Sequence, residues 1–231
     1  MTHARTWALV PLRQLAGGKE RLAAVLDPAA RRALVEAMAE DVVEALLAVP
    51  LPPAQVLLVS EDPEVGALAE RLGVGLFRPA PVADDPLNAA LVAASRSALA
   101  SGADSVLLIH ADLPAASATA LRGLLAAHLG DASAAARATL VSDGAGTGTN
   151  CLLLSPPLAM PLRFGSDSRA LHCGAAAATG VDYREFTCPG LGFDVDLPAD
   201  LDLLVRPAET QDNATGARTL VWIQEHAAHS R

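Results

Sequence analysis

Nothing in the 231-residue chain constrains its fold more than the run VLLIHADLP at Val106–Pro114. Uninterrupted apolar residues stop at His110 and deliver an aspartate, Asp112, just beyond. Apolar residues without alternation read as a strand buried on both faces, the situation of strands in a parallel sheet covered by helices. Ligands of such sheets collect beyond the carboxyl ends of the strands, so Asp112 is expected where chemistry would be done. Pro114 cannot donate to a sheet ladder and closes the strand. The competing reading of Asp112 is a helix N-cap.

The rest of the chain alternates in a way that fits such a sheet. WALVPL (Trp7–Leu12) reads as a first buried strand, and Asp27–Ala48 carries Leu34, Val35, Met38, Val42, Leu46 and Leu47 at helical spacing. QVLLVS (Gln55–Ser60), a Pro63–Leu72 helix, a short VGLFR strand and a helix at Asn88–Ala100 lead into the Val106 strand, with a further helix at Thr119–His128. The order then changes. ATLVSDG and NCLLLS are two short strands around the loop DGAGTGT, followed by a helix near Ser168–Thr179 and a strand approaching GFDVDLP. The expectation is an α/β fold whose mostly parallel, mixed sheet is flanked by helices. A short helix follows Pro198 at Asp200–Leu204, Arg206–Gly216 is polar, and Ala217–Ala228 forms a terminal helix with Thr215 near its cap. The expected division is 1–205 as the α/β domain and 206–231 as polar segment plus helix, which either lies on the domain or makes a homodimer contact.

Charge and composition exclude several classes. A formal net charge of −9 argues against a nucleic-acid surface, which needs clustered Lys and Arg. An acidic chain can still bind a small phosphate ligand through a local cationic pocket, backbone N–H groups or bound Mg²⁺. The apolar runs are far shorter than the roughly 20 residues of a membrane span. MTHARTWALVPLRQL has no secretory apolar stretch, and Cys151, Cys173 and Cys188 form no CxxC pair, so a cytoplasmic protein is expected. No His/Cys spacing suits a closed Zn²⁺ site.

Four segments could carry chemistry. In PLRQLAGGKERLA, Arg13, Lys19 and Arg21 surround Gly17-Gly18 directly after a strand. That is either a phosphate cradle or a solvated loop, and it is not a P-loop because Glu20 follows Lys19. DGAGTGTN (Asp143–Asn150) lacks the third glycine of a dinucleotide fingerprint in register and opens into a strand instead of a helix. It is a plain hairpin turn or an anion loop using Thr147 and Thr149. RFGSDSRALH sets Gly165, Ser166 and Ser168 ahead of a helix, with Arg163 and Arg169 flanking: an anion site at a helix start, or simple capping by Asp167 or Ser168. His172 reads best as a packing or surface histidine. GFDVDLPADL holds Asp194 and Asp196, which face opposite ways if extended, so only one would join Asp112 in a Mg²⁺ site. The alternative is a capped turn.

Taken in order, VPLRQLAGGKERL, LNAAL at Leu87–Leu91, HADLP, DGAGTGTN, FGSDSRALH and GFDVDLPADL resemble the motif series of the 2-phospho-L-lactate guanylyltransferase family, from about Val10 to Leu204. The ordered set, above all FGxxS followed by a histidine and the later DxDxP, is what carries the likeness. The resemblance implies a nucleotidyltransferase fold similar to glycosyltransferase-A domains and a role in biosynthesis of the deazaflavin coenzyme F-420. It implies transfer of GMP from GTP to 2-phospho-L-lactate, phosphoenolpyruvate or 3-phospho-D-glycerate, with release of pyrophosphate. By position it puts Arg13, Gly18, Lys19 and Arg21 at the GTP phosphates and Asn88 near the nucleoside. Asp112 and Asp194 would hold Mg²⁺, with Asp196 beside them, and Thr149, Gly165 and Ser168 would bind the acceptor. Asp112, Lys19 and Arg21 would act in catalysis. The chain departs from the family pattern at Arg13, where lysine is frequent, at Pro86, where glycine is common, and at Leu197, in place of a threonine. The alternatives are a molybdopterin-type guanylyl- or cytidylyltransferase, or a non-catalytic nucleotide-binding protein of the same fold.

Overall fold

The computed structural model describes residues 5–82, 84–130, 134–204 and 216–226. Seven strands are present in it: β1 (Thr6–Pro11), β2 (Val56–Val59), β3 (Gly75–Phe77), β4 (Ser105–Ile109), β5 (Arg137–Ser142), β6 (Thr149–Ser155) and β7 (Asp182–Glu185). They form one sheet in the order β3-β2-β1-β4-β6-β5-β7. β1 pairs in parallel with β2 and β4, and β5 with β7, whereas β6 is antiparallel to both of its neighbours. β6 is thus the single reversed strand, and its first residues lie at the same edge as the last residues of β1, β4 and β5.

The first four helices begin where a side chain supplies a cap. In α1 (Pro28–Leu47) the Asp27 carboxylate accepts from the Ala30 N–H at 2.8 Å and Pro28 occupies the first turn. α2 (Pro63–Leu72) repeats this with Asp62 and Pro63 and ends on Gly73 in the left-handed region. α3 (Pro86–Ala100) has Asp85 before Pro86, and α4 (Ala118–Leu129) is capped by Ser117. α5 (Ser168–Thr179) differs: Asp167 stands at its N-cap in a left-handed conformation and its side chain makes no capping bond. Two short helices, α6 (Pro189–Gly192) and α7 (Pro198–Leu204), precede the terminal α8 (Ala217–His226).

Alternation along the central strands sorts the helices to two faces. Leu107 and Ile109 of β4 join Ala8 and Val10 in a cluster with α1, α2 and α4. Val106 and Leu108 join Leu9 in a second cluster with Leu91, Ala94 and Ala98 of α3 and Ala176 of α5. Met160, Leu162 and Phe164, from the irregular chain between β6 and α5, are buried in this second cluster too. A third cluster assembles Leu22, Leu34 and Met38 with Val195, Leu204, Trp222 and Ile223. Here the terminal helix lies on α1. Asp41, buried in the middle of α1, accepts from the Arg218 and Thr219 N–H groups at 2.9 Å each and caps α8 from outside.

The mixed, mostly parallel sheet is the one expected, and element ends agree with the sequence reading to within two residues. The strand expected to run up to GFDVDLP is the exception: β7 ends at Glu185, α6 intervenes, and residues 193–196 themselves are irregular. The expected cap at Thr215 and most of the polar segment from Arg206 lie outside the described residues, as does the end of the terminal helix beyond His226. Among the described residues no helix is long and apolar enough to cross a membrane.

Candidate active site

Chain order in the sheet reverses on either side of β1, so a crevice opens beyond the carboxyl ends of β1 and β4. The turn after β1 enters it. Gly17 has φ +83°, a conformation that suits glycine alone, and Lys19 follows at φ 54°, in the left-handed region. This strained backbone aims the Lys19 side chain inward, where its Nζ donates to Asp112 Oδ2 and, at 2.7 Å, to Asp196 Oδ1. Arg21 reaches the same Asp196 carboxylate at 3.7 Å from a more exposed position.

Three aspartates meet at this point. Asp112 is delivered by β4, as the sequence implied. The irregular segment with Asp194 and Asp196 is drawn onto the end of β4 by the Val195 N–H, which donates to the Asp112 carbonyl at 3.2 Å. Because residues 193–196 do not form a strand, the two carboxylates are not driven to opposite sides. Asp196 shares Lys19 with Asp112, and Asp194 is held by the Asn150 amide at 3.2 Å. Burial raises the Asp194 pKa, opposed by the Asn150 bond and reinforced by the negative charges of Asp112 and Asp196. Burial would raise Asp112 as well, but the Lys19 ammonium overrides it and holds the carboxyl below its ordinary value. Lys19 in turn is raised by the two carboxylates against its own burial.

Asp112 Oδ1 is buried and has no hydrogen-bond partner. A buried carboxylate oxygen without a donor is costly unless something cationic completes it. No group of three His, Cys, Asp or Glu side chains among the described residues is spaced to cage a metal ion unaided. Mg²⁺ needs less: one or two carboxylates, with phosphate oxygens and water filling the octahedron. The residues present therefore fit a hard divalent cation that arrives with a phosphate ligand, and they do not fit a closed structural metal site.

On one side of the aspartates lies a groove of about 930 Å³, between the ends of β1 and β2 and the start of α3. Arg13, Gln14, Glu61, Pro81 and Leu87 are among its lining residues. Asn88 is not. It is buried, and its amide is spent on protein: Nδ2 donates to Asp85 and to the Phe164 carbonyl, while Oδ1 accepts the Phe164 N–H, each at 2.9 Å. Asn88 thus clamps the chain ahead of Gly165 to α3, a use that the letters LNAAL do not disclose.

On the other side stand Thr149, Gly165 and Ser168, brought together because β6 is reversed. Gly165 has φ +125°, another position where a side chain would be strained. The N-terminus of α5 has no side-chain cap, and although the Ser168 and Arg169 N–H groups already donate to the Gly165 and Thr147 carbonyls, its positive dipole end faces this side. Ser168 is buried in this first turn. The Asp143–Gly148 loop is less open than its glycines suggest. Thr147 N donates to Asp143 at 2.8 Å, and Arg169 ties the loop to α5 through the Thr147 and Gly146 carbonyls. Of the two threonines only Thr149 lies within, with its Oγ1 3.1 Å from His172 Nδ1. Asn150, which holds Asp194, was not singled out from the sequence, and His172, read there as a packing or surface histidine, is buried beside Thr149. Asn150 stood in a quoted motif, and His172 had no visible partner in one dimension.

A mostly parallel α/β sheet with one reversed strand and clustered aspartates at its switch point is the architecture of a nucleotidyltransferase-type fold. Solved structures bear this out at the level of fold. A nucleotide-diphospho-sugar transferase candidate from Desulfovibrio desulfuricans matches with a TM-score of 0.72 at 16% identity, covering 96% of this chain and 95% of its own. A nucleotidyl transferase from Methanothermobacter thermautotroptrophicus matches at 0.59 and 20% identity, covering 87% and 96%. Residues 6–215 match the guanylyl transferase CofC-like family, and the chain belongs to it. A phosphoenolpyruvate guanylyltransferase of Rubrobacter xylanophilus is 40% identical over 195 residues, 84% of this chain and 91% of that protein.

Proposed function

We propose that the chain transfers GMP from GTP to phosphoenolpyruvate, as a Mg²⁺-dependent cytoplasmic guanylyltransferase in coenzyme F-420 biosynthesis. The observation that carries this reading is the meeting of Asp112 and Asp196 on Lys19, with Asp194 beside them on Asn150, between a nucleoside-sized groove and the uncapped start of α5. The choice among phosphorylated acids is supported by relatives in several bacteria, 36–40% identical and named phosphoenolpyruvate guanylyltransferase.

The reaction needs no general base on the protein. A phosphate monoester has its second pKa near ~6, so at neutral pH the acceptor is already largely a dianion. One of its oxygens attacks the α-phosphorus of GTP in line. The bond from that phosphorus to the bridging oxygen breaks, and pyrophosphate leaves with the electron pair. The task of the protein is therefore to hold two polyanions together. Arg13, Lys19 and Arg21 offset the triphosphate charge, and the groove holds the nucleoside. Thr149, Gly165, Ser168 and the positive dipole end of α5 hold the acceptor's phosphate and carboxylate. Bound at Asp112 and one of its neighbours, Mg²⁺ would supply charge screening and orientation of the phosphates.

The test is incubation with GTP and Mg²⁺ and, separately, phosphoenolpyruvate, 2-phospho-L-lactate and 3-phospho-D-glycerate, with mass detection of the diphosphate-linked product. The expected result is product and pyrophosphate with phosphoenolpyruvate. Product with none of the three, or thermal protection by CTP and not by GTP, overturns the reading.

A further inference from the structure

His172 lies one turn into α5 and is completely buried. Both ring nitrogens are engaged. Nε2 is 2.9 Å from the Arg163 backbone N, and Nδ1 is 3.1 Å from Thr149 Oγ1. A backbone N–H can only donate, so Nε2 must be the bare, accepting nitrogen. The ring is neutral, because burial, with the nearby Arg163 charge, pushes its pKa down to about 4 against an opposing hydrogen bond to the Ser168 backbone. A neutral imidazole has one proton, and here it belongs to Nδ1. Phe164 packs edge-on against the ring, with centroids 4.9 Å apart, and prevents it from turning over.

That tautomer has a consequence for Thr149. If Nδ1–H donates, the threonine oxygen is the acceptor in the bond and its own hydrogen must point elsewhere. No other partner of Oγ1 is present among the described residues. The opposite tautomer would draw the hydroxyl hydrogen to the ring and leave only lone pairs facing outward, which repel an anion. The sign of the interaction with a phosphate or carboxylate thus depends on where one buried proton sits.

We propose that His172 is a positioning residue for the acceptor subsite: its Nδ1–H makes the Thr149 hydroxyl an obligate donor to the acceptor's anionic group, while its Nε2 fixes the chain at Arg163 so that Gly165 and Ser168 face the same anion. This rests on the guanylyltransferase reading, in which Thr149 lines the acceptor subsite.

Long-range proton–nitrogen NMR of the full chain, with the His172 signals assigned by their loss in His172→Asn, reads the tautomer without turnover. Kinetics of Thr149→Val, Thr149→Ser, His172→Asn and the double variant His172→Asn/Thr149→Val read its effect. The expected tautomer is Nδ1–H. Thr149→Val should raise the acceptor KM about tenfold to a hundredfold, the range for one hydrogen bond to a charged group. His172→Asn should do likewise while the GTP KM stays within about twofold, and the double variant should be no worse than Thr149→Val alone. An Nε2–H tautomer, multiplying effects in the double variant, or equal rises in both KM values would overturn the proposal. If His172→Asn does not fold, the signals are assigned with His172→Gln, and Thr149→Ser, which keeps the hydroxyl, must retain a far lower acceptor KM than Thr149→Val; equal losses overturn it. A wild-type chain that turns over no acceptor refutes the guanylyltransferase reading, whereas the tautomer holds or fails separately.

Discussion

Replacing Lys19 by methionine would strip the aspartate cluster of its internal counter-charge. The two side chains of the Lys19–Asp112 pair are only 10% and 24% exposed, and the second Asp112 oxygen is already without a partner. Breaking a buried pair costs ~3–5 kcal/mol when the surviving charge is fully enclosed; with a quarter of the Asp112 side chain in contact with water, about 2–3 kcal/mol at pH 7 is the discounted expectation. The pH dependence has a definite sign. In the wild type the Asp112 pKa is depressed, so the pair stabilises the fold above the unfolded value near ~4 and the benefit is lost as pH falls through the folded pKa. In Lys19→Met, burial, the largest of the influences on Asp112, is opposed only by His110 and a backbone hydrogen bond, and that pKa rises. The variant must then lose stability as pH rises above about 4, by up to ~1.4 kcal/mol per pH unit until the carboxyl is ionised. Urea unfolding at pH 4.5 and pH 7, with and without Mg²⁺, measures this. The stability gap to wild type should be small at the lower pH and large at the higher, and Mg²⁺ should narrow it at pH 7 by replacing the ammonium. A gap independent of pH and of Mg²⁺ would show that Lys19 does not neutralise Asp112 in solution.

Further outcomes follow from the same geometry. Asp112→Asn should lower turnover on the order of a hundredfold or more with the fold intact, the scale of losing a charge-stabilising group; near-normal activity would remove Asp112 from the site. With the fold intact, Asp194→Asn should be severe and Asp196→Asn milder, because Asp196 can be relieved by Lys19 and Arg21 while Asp194 is held only by Asn150; steady-state rates of both variants decide the order. If, as proposed, the aspartates face the triphosphate, GTP affinity measured by calorimetry should rise steeply from EDTA to millimolar Mg²⁺; equal affinities would mean that they do not. Asp41→Ala leaves two N–H groups of α8 without an acceptor and should cost about 1–2 kcal/mol in urea unfolding.

The layered fold was legible because its signals are local. Asp27-Pro28 and Asp62-Pro63 are start signals whose physics is complete within a few residues, and VLLIH cannot be buried on one face only. The reversal of β6 was not legible in this way, because a wholly apolar strand such as CLLLS has no sequence direction. The site divides along the same line. Asp112 could be placed from the run that delivers it, and its importance follows from where strands end. That Lys19 would sit between two carboxylates 93 and 177 residues away follows from no spacing. Asn88 shows the limit most clearly: the family resemblance places it near the nucleoside, whereas the fold spends both sides of its amide on Asp85 and Phe164. His172 is the packing histidine that its letters allowed, completely buried, and what the sequence could not show is its two partners, Thr149 and the Arg163 N–H.

The third apolar cluster gives the far end of the chain a stake in catalysis. Leu22 closes the turn that carries Lys19, Val195 stands between Asp194 and Asp196, and both are completely buried alongside Trp222 and Ile223 of the terminal helix. The two loops that bring opposite charges together are therefore wedged from behind by the same few rings and methyl groups. A chain shortened before Gly216 would keep every charged group of the site yet lose its backing. The lysine and the two aspartates would still find each other, but each would first have to be collected from a wandering loop, and that entropic toll would fall on the nucleotide that needs them in place.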